Sequence, residues 1–174
     1  KTFMKRINVL LLTCFLGLCS CNGEKGDKFE STTKENRIFD NADLLTPTQE
    51  DSIFYLITDL EREIGSQIAV ITIDTLNGVG INEYSIGEIE KLRLGRDMQK
   101  DGLLITVALM DKSMRIEVGY GLELIIKDEI AARITRNLMA PKFSEGKFGQ
   151  GIYDAVDTIK LLIERNKGLV GKMP

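Results

Sequence analysis

DGLLITVALMDKSMRIEVGYGLE, residues 101–123, joins two runs of different character. Leu103–Leu109 is an almost unbroken apolar run, the pattern of a strand covered on both faces. Met110-Asp111-Lys112-Ser113 reads as a turn. Beyond it Met114, Ile116 and Val118 alternate with Arg115 and Glu117, the period of a strand with one wet face. Together the two runs predict a β-hairpin. Its second strand leads directly into Gly119-Tyr120-Gly121-Leu122-Glu123. Asp101, Asp111, Arg115, Glu117 and Glu123 crowd into a segment that otherwise reads as core, which is the composition of a site wall rather than of a plain structural hairpin.

The flanking sequence supplies the other elements. Thr46-Pro47-Thr48-Gln49 is a helix start, with a hydroxyl cap, proline at the first position and glutamine three residues after the cap. Ile53, Leu56, Ile57, Leu60 and Ile64 follow on one helical face, and Gly65 ends it. Ile68–Ile73 is apolar and β-branched and predicts a buried strand. Ile81, Tyr84, Ile89 and Leu92 mark a weaker helix closed at Gly95, and Arg96–Lys100 reads as a polar loop. Asp128 is expected to cap a third helix stopped by Pro141, and Ile152–Ile163 defines a long fourth one. The order helix, strand, helix, strand, strand, helix, helix predicts an α/β fold. Its expected form is a three-layer α/β/α sandwich around a mixed, mostly parallel sheet that contains the hairpin.

Residues 1–20 read as a targeting segment. Lys1, Lys5 and Arg6 precede the mostly apolar Ile7–Leu18, which is short for a membrane-spanning helix. Leu18-Cys19-Ser20-Cys21 resembles a bacterial lipobox, so Cys21 is expected to carry a lipid after cleavage; the other reading is an ordinary secretory signal with Cys21 incidental. The lipid reading places the domain outside the cytoplasm, anchored to the cell membrane or outer membrane through Cys21. Residues 21–37 are polar and read as a flexible tether. The folded domain is expected over residues 38–166, with residues 167–174 as a frayed tail.

Composition excludes several classes of chemistry. The chain carries a formal charge of −3. Removing residues 1–20 takes away three basic residues and no acidic one, giving −6. No basic stripe favours nucleic acid. The chain has no histidine, which rules out His-dependent phosphatases and Ser-His-Asp or Cys-His catalysis. Its cysteines all lie in the first 21 residues, so a mature chain beginning at Cys21 has no disulfide. Remaining chemistry belongs to carboxylates, Lys, Arg, Tyr, hydroxyls or a hard cation such as calcium or magnesium.

Ligands of open α/β sheets bind outside the carboxyl ends of the strands. Asp74 and Asp111 end strands there, whereas Asp101 begins one. Arg115 offers a planar fork for phosphate or carboxylate, or else a simple pair with Glu117 on an edge strand. Tyr120, held between two glycines, reads as a ligand-stacking ring or as a half-buried lid. Gly78-Val79-Gly80 is followed by Glu83 where a dinucleotide fingerprint needs glycine, so no nucleotide cofactor is expected. Gly146–Gly151 reads as a glycine-containing loop.

The order D-G-L-L, then D-x-x-x-R-x-E-x-G-Y-G-x-E, is similar to the signature of the TPM domain family, which includes thylakoid-lumen acid phosphatase-like proteins. Phe39-Asp40-x-Ala42-x-Leu44-Leu45-Thr46, Gly65–Val70 and Pro141-Lys142-Phe143 agree in order. Lys100-Asp101-Gly102 is one residue shorter than the family's usual approach to the buried strand. The resemblance implies the same sandwich. It matches Asp40 and Asp101 to acidic positions and implies calcium binding and, by analogy with plant members, acid phosphatase activity; Glu117 and Glu123 are expected to help Asp40 and Asp101 hold the metal. Other members serve the assembly and repair of membrane complexes. Two functions are therefore expected. The first is a cation-binding accessory module for envelope protein complexes. The second is a metal-assisted phosphatase using Asp40 and Asp101.

Overall fold

Thr46 caps the first long helix, and the cap explains where it starts. In the computed structural model, which describes residues 32–173, the Gln49 N–H donates to Thr46 Oγ1 at 3.3 Å and the Thr46 N–H to Gln49 Oε1 at 3.0 Å. This closes a capping box over α1, Pro47–Ile64. Gly65 ends the helix in the left-handed region at φ 92°, a conformation glycine adopts without steric cost. The predicted targeting segment and Cys21 lie outside the described residues.

Four strands follow in sheet order β1 (Ile38–Asp40), β2 (Gln67–Ile73), β3 (Gly102–Ala108), β4 (Ser113–Val118). The first three are parallel and the last is antiparallel. The hairpin is present as expected, and all seven residues of β3 are buried. β1 was not foreseen; three residues ahead of a helix carry no periodicity, and the strand exists because Ile38 to Asp40 register against Val70 to Thr72.

The pleat sorts the hairpin's side chains. Leu103, Ile105 and Val107 stand opposite Val118, Ile116 and Met114 on one face, while Leu104 and Thr106 stand opposite Glu117 and Arg115 on the other. The first face carries the large core, closed by α1, by α3 (Asp128–Ile134) and by α5 (Phe148–Arg165). Ile53, Ile57, Leu60, Ile152 and Ile159 are fully inaccessible there, each contributing about 1.5–3 kcal/mol through burial. Among the described residues the second face carries only α2 (Ile81–Lys91), over the small cluster Ala69, Ile71 and Leu104. Ser85 is the one buried residue of α2, and its Oγ donates to Thr106 Oγ1 at 2.9 Å. The outcome is the α/β/α sandwich, with one thick layer and one thin.

Three local expectations are corrected. Pro141 does not stop the third helix: α3 runs into a π turn at Thr135–Met139 and on into α4, Ala140–Ser144. Pro141 therefore falls in the first turn of α4, where its missing N–H costs nothing. Gly149 and Gly151 lie inside α5 rather than in a loop. A Cβ on Gly149 would meet Gln49 Oε1 at 2.3 Å, and one on Gly151 the Phe143 ring at 2.8 Å, so close helix packing explains both. The ends are also more tied than expected. Arg37 Nη2 lies 3.2 Å from Glu61 Oε1, and the Gly171 N–H donates to Gly121 O at 2.9 Å.

Lys160 joins α1 to α5. It pairs with Glu164 and lies 3.0 Å from Asp59. Glu164 holds the Lys160 ammonium above the ordinary value of 10.5, burial pulls it down, and Asp59 adds to the rise. Lys160 in turn holds Asp59 below its usual carboxylate value. A raised lysine stabilises the fold fully below its unfolded value and loses that stabilisation as pH rises through the folded one; the depressed aspartate contributes above its unfolded value and loses as pH falls. The bridge is thus expected to flatten stability across neutral pH. Denaturant unfolding at about pH 9 and about pH 11.5 checks this: Lys160→Met removes part of the alkaline decline shown by the native chain.

Candidate functional site

Four glycines let three backbone segments touch at the amino-terminal edge of the parallel strands. Gly95 takes φ +95°, and a Cβ there would meet Gly102 N at 2.3 Å. On Gly102 it would meet Leu94 O at 2.2 Å, on Gly119 Lys100 O at 2.4 Å, and on Gly121 Gln99 O at 1.7 Å. Hydrogen bonds close the same stack: the Gly119 N–H donates to Gly102 O at 2.8 Å and the Gly121 N–H to Lys100 O at 2.9 Å. Gly119 itself sits at φ −69°, so close backbone approach, and not a left-handed conformation, is why side chains are excluded there.

Asp101 locks the stack from beneath. It is fully inaccessible. Its Oδ1 accepts from the Arg96 N–H at 2.9 Å, and its Oδ2 from Arg96 Nε at 3.0 Å and Ser66 Oγ at 3.1 Å; Arg96 Nη2 donates to the same Oδ2. A carboxylate taken out of water survives only with such partners. Asp101 is therefore the anchor of the 95–102 loop.

Above this floor lies a groove of about 480 Å3. One wall is α2 and the turn after it, with Ile86, Glu90 and Arg93; the other is Glu117, Tyr120 and Glu123, and Asp97 and Lys100 close the end. Four carboxylates thus face two cations. Only Glu117 among them makes an ion pair within the described residues, with Arg115 Nε at 2.6 Å. Tyr120 is 67% exposed and Ile86 45% exposed, so the tyrosine stands free on the rim instead of covering the groove as a half-buried lid. Arg115 lies on the α2 face of β4 with its fork turned to Glu117 and does not line the groove.

The expected acidic set does not assemble. Asp40 ends β1 at the opposite edge of the sheet, where it accepts from Thr72 Oγ1 and from the Leu44 and Leu45 N–H groups at 3.1 and 2.8 Å. Asp40 and Asp101 are separated by the length of the parallel strands, because one follows a strand and the other precedes one. Asp111 accepts from the Leu76 N–H at 2.9 Å and caps the neighbouring loop. Glu117 and Glu123 do share the groove, but among the described residues no three acidic side chains group closely enough to hold a metal ion. The residues present do not fit a calcium or magnesium site built from Asp40, Asp101, Glu117 and Glu123.

Sequence reading missed Glu90, Arg93, Asp97 and Lys100. On the chain they look like solvated charges of a helix end and a loop. The available signal was the pair Gly95 and Gly102, which bracket that loop.

The model of the TPM domain family matches residues 38–161. No curated protein matches the chain. Among solved structures, the chain is similar to the N-terminal domain of a protein from P. gingivalis, at 23% identity and TM-score 0.70, over 75% of this chain and 83% of that one. It is also similar to the BA42 protein of the psychrophilic bacterium Bizionia argentinensis, at 23% identity and TM-score 0.59, over 70% and 82% of the two chains. A third similar fold is the N-terminal domain of protein cg2496 from Corynebacterium glutamicum, at 13% identity and TM-score 0.60, over 76% and 83%.

Proposed function

The chain belongs to the TPM domain family, and we propose that it serves as a binding and accessory module whose docking surface is the groove beside Gly119–Glu123. The observation that supports this is Tyr120, an aromatic ring exposed on a rim whose backbone is immobilised by glycine contacts and the Asp101 anchor. Rigid amphipathic tyrosines make large contact areas at low entropic cost, which is why they dominate protein interfaces. Glu90, Asp97 and Glu123, which make no ion pair among the described residues, add directional charge for steering a partner. In the same reading, lipid on Cys21 holds the domain at the cell envelope and the partner is an envelope protein complex.

The phosphatase reading has less support. Asp40 and Asp101 already have their oxygens committed to internal donors, so neither is free to attack phosphorus or to activate water. The proposal needs no metal ion. Its test replaces Tyr120 with a photo-crosslinking phenylalanine analogue in cells of the native host, with the same substitution at Tyr55 of α1 as the control. Tyr55 is 66% exposed, so exposure alone does not separate the two positions.

A further inference from the structure

We propose that a second cavity, at the carboxyl edge of the sheet, binds a medium-chain fatty-acid carboxylate. The cavity is about 510 Å3, within the range of small-molecule sites. It lies between the hairpin turn and the α4–α5 corner and shares no lining residue with the groove. Along β4 the groove's Glu117 and the cavity's Met114 stand three residues apart and on opposite faces of the sheet. What happens at one site is therefore separable from the other.

The chemistry of the walls selects the ligand. Val107, Met114, Phe143 and Phe148 supply an apolar lining, and the two phenylalanine rings sit 5.0 Å apart at 50°. Among the described residues no carboxylate lines the cavity, and the one charged residue there is Lys112. Lys112 makes no ion pair among the described residues. Phe148 also borders a neighbouring concavity that carries Lys142 and Lys147, again with no carboxylate in its lining. Lys147 is paired with Glu145 at 2.7 Å; Lys142 has no such partner among the described residues. An apolar chamber with cations at its rim complements a molecule that is apolar along its length and anionic at one end. A cationic amphiphile meets like charge there, and a polar metabolite leaves the phenylalanines unsatisfied.

The location supports the assignment. Ligands of open α/β sheets bind outside the carboxyl ends of the strands, and β3 ends at this cavity. The wall formed by Ala140, Phe143 and Ser144 follows directly on the π turn, a helix irregularity that recurs at functional sites. The apolar surface is a recess between a turn and a helix, not a protruding face, so the occupant is a free amphiphile and not a bilayer.

The test is a titration of the folded domain with sodium dodecanoate below its micelle threshold, followed by amide shifts, with dodecyltrimethylammonium as the cationic control. Saturable shifts are expected at Leu109, Ser113, Phe143 and Phe148, with the Gly119–Glu123 turn unmoved. Ser144 is exposed, so Ser144→Trp fills the mouth without disturbing the core and is expected to abolish saturation. Lys112→Gln is expected to weaken binding about two- to fivefold, the size of an exposed ion pair. Equal binding of the cationic control, shifts spread over the whole surface, no saturation by the native chain, or dodecanoate affinity unchanged in both variants would each overturn the proposal.

Discussion

Arg96→Met is expected to destabilise the domain by about 3–5 kcal/mol, because it strands a carboxylate that has no access to water. Asp101 is fully buried, while the Arg96 side chain is 39% exposed. The asymmetry predicts unequal single mutants. Losing the arginine leaves a buried charge with only Ser66 Oγ and the residue 96 N–H as donors. Losing the charge in Asp101→Asn leaves a guanidinium that reaches solvent, and is expected to cost about 2 kcal/mol. Adding Asp101→Asn to Arg96→Met is expected to recover stability instead of losing more. Such non-additivity is the signature of a pair acting as one anchor. Urea unfolding of the four proteins reads it directly, with constant m-values as the check that the unfolded states compare. A cost for Arg96→Met below about 1 kcal/mol would remove the anchor from the account.

Gly121→Ala has the second large effect, again through the floor of the groove. The added Cβ would lie 1.7 Å from Gln99 O and 3.2 Å from Gly171 Cα. Both are backbone atoms, so no flexible side-chain tip can swing away. Either the 95–102 loop or the 119–121 turn must separate, breaking the hydrogen bonds from Gly121 N to Lys100 O and from Gly171 N to Gly121 O. The expected loss is about 3 kcal/mol, or roughly 10 °C in Tm for a domain of this size. Gly87→Ala is the matched control. Gly87 lies inside α2 and its Cβ would meet nothing within 4 Å, so alanine there is expected to be neutral or stabilising by up to about 1 kcal/mol. A Gly121→Ala loss no larger than that of an ordinary surface change would mean the segments are not locked together.

The hairpin, the Thr46 capping box and the buried β2 were legible because local pattern carries them. Leu103–Ala108 is apolar in sequence and buried in space, and Thr46 and Gln49 need only each other. β1 was hidden because Ile38–Asp40 becomes a strand only beside Val70–Thr72, 32 residues on in a register no local period records. Pro141 misled for a related reason: a π turn ahead of it shifted the helical register and made its missing N–H harmless.

The site was legible in its location and not in its parts. Gly119–Glu123 marks the groove, and Glu117, Tyr120 and Glu123 do line it. The acids then sort by partner rather than by proximity in sequence. Asp101 looked like a ligand because nothing in the chain announces that Arg96, five residues earlier, folds back onto it. Asp40 looked like its companion, yet following a parallel strand and preceding one place two residues at opposite sheet edges.

The most direct test of the account is photo-crosslinking from position 120 against position 55 in living cells, repeated with Glu123→Lys in the same chain. A docking groove predicts a discrete protein adduct from position 120, absent from position 55 and lost when Glu123 is reversed in charge. Identical adducts from both positions, or an adduct at position 120 indifferent to Glu123→Lys, would contradict it.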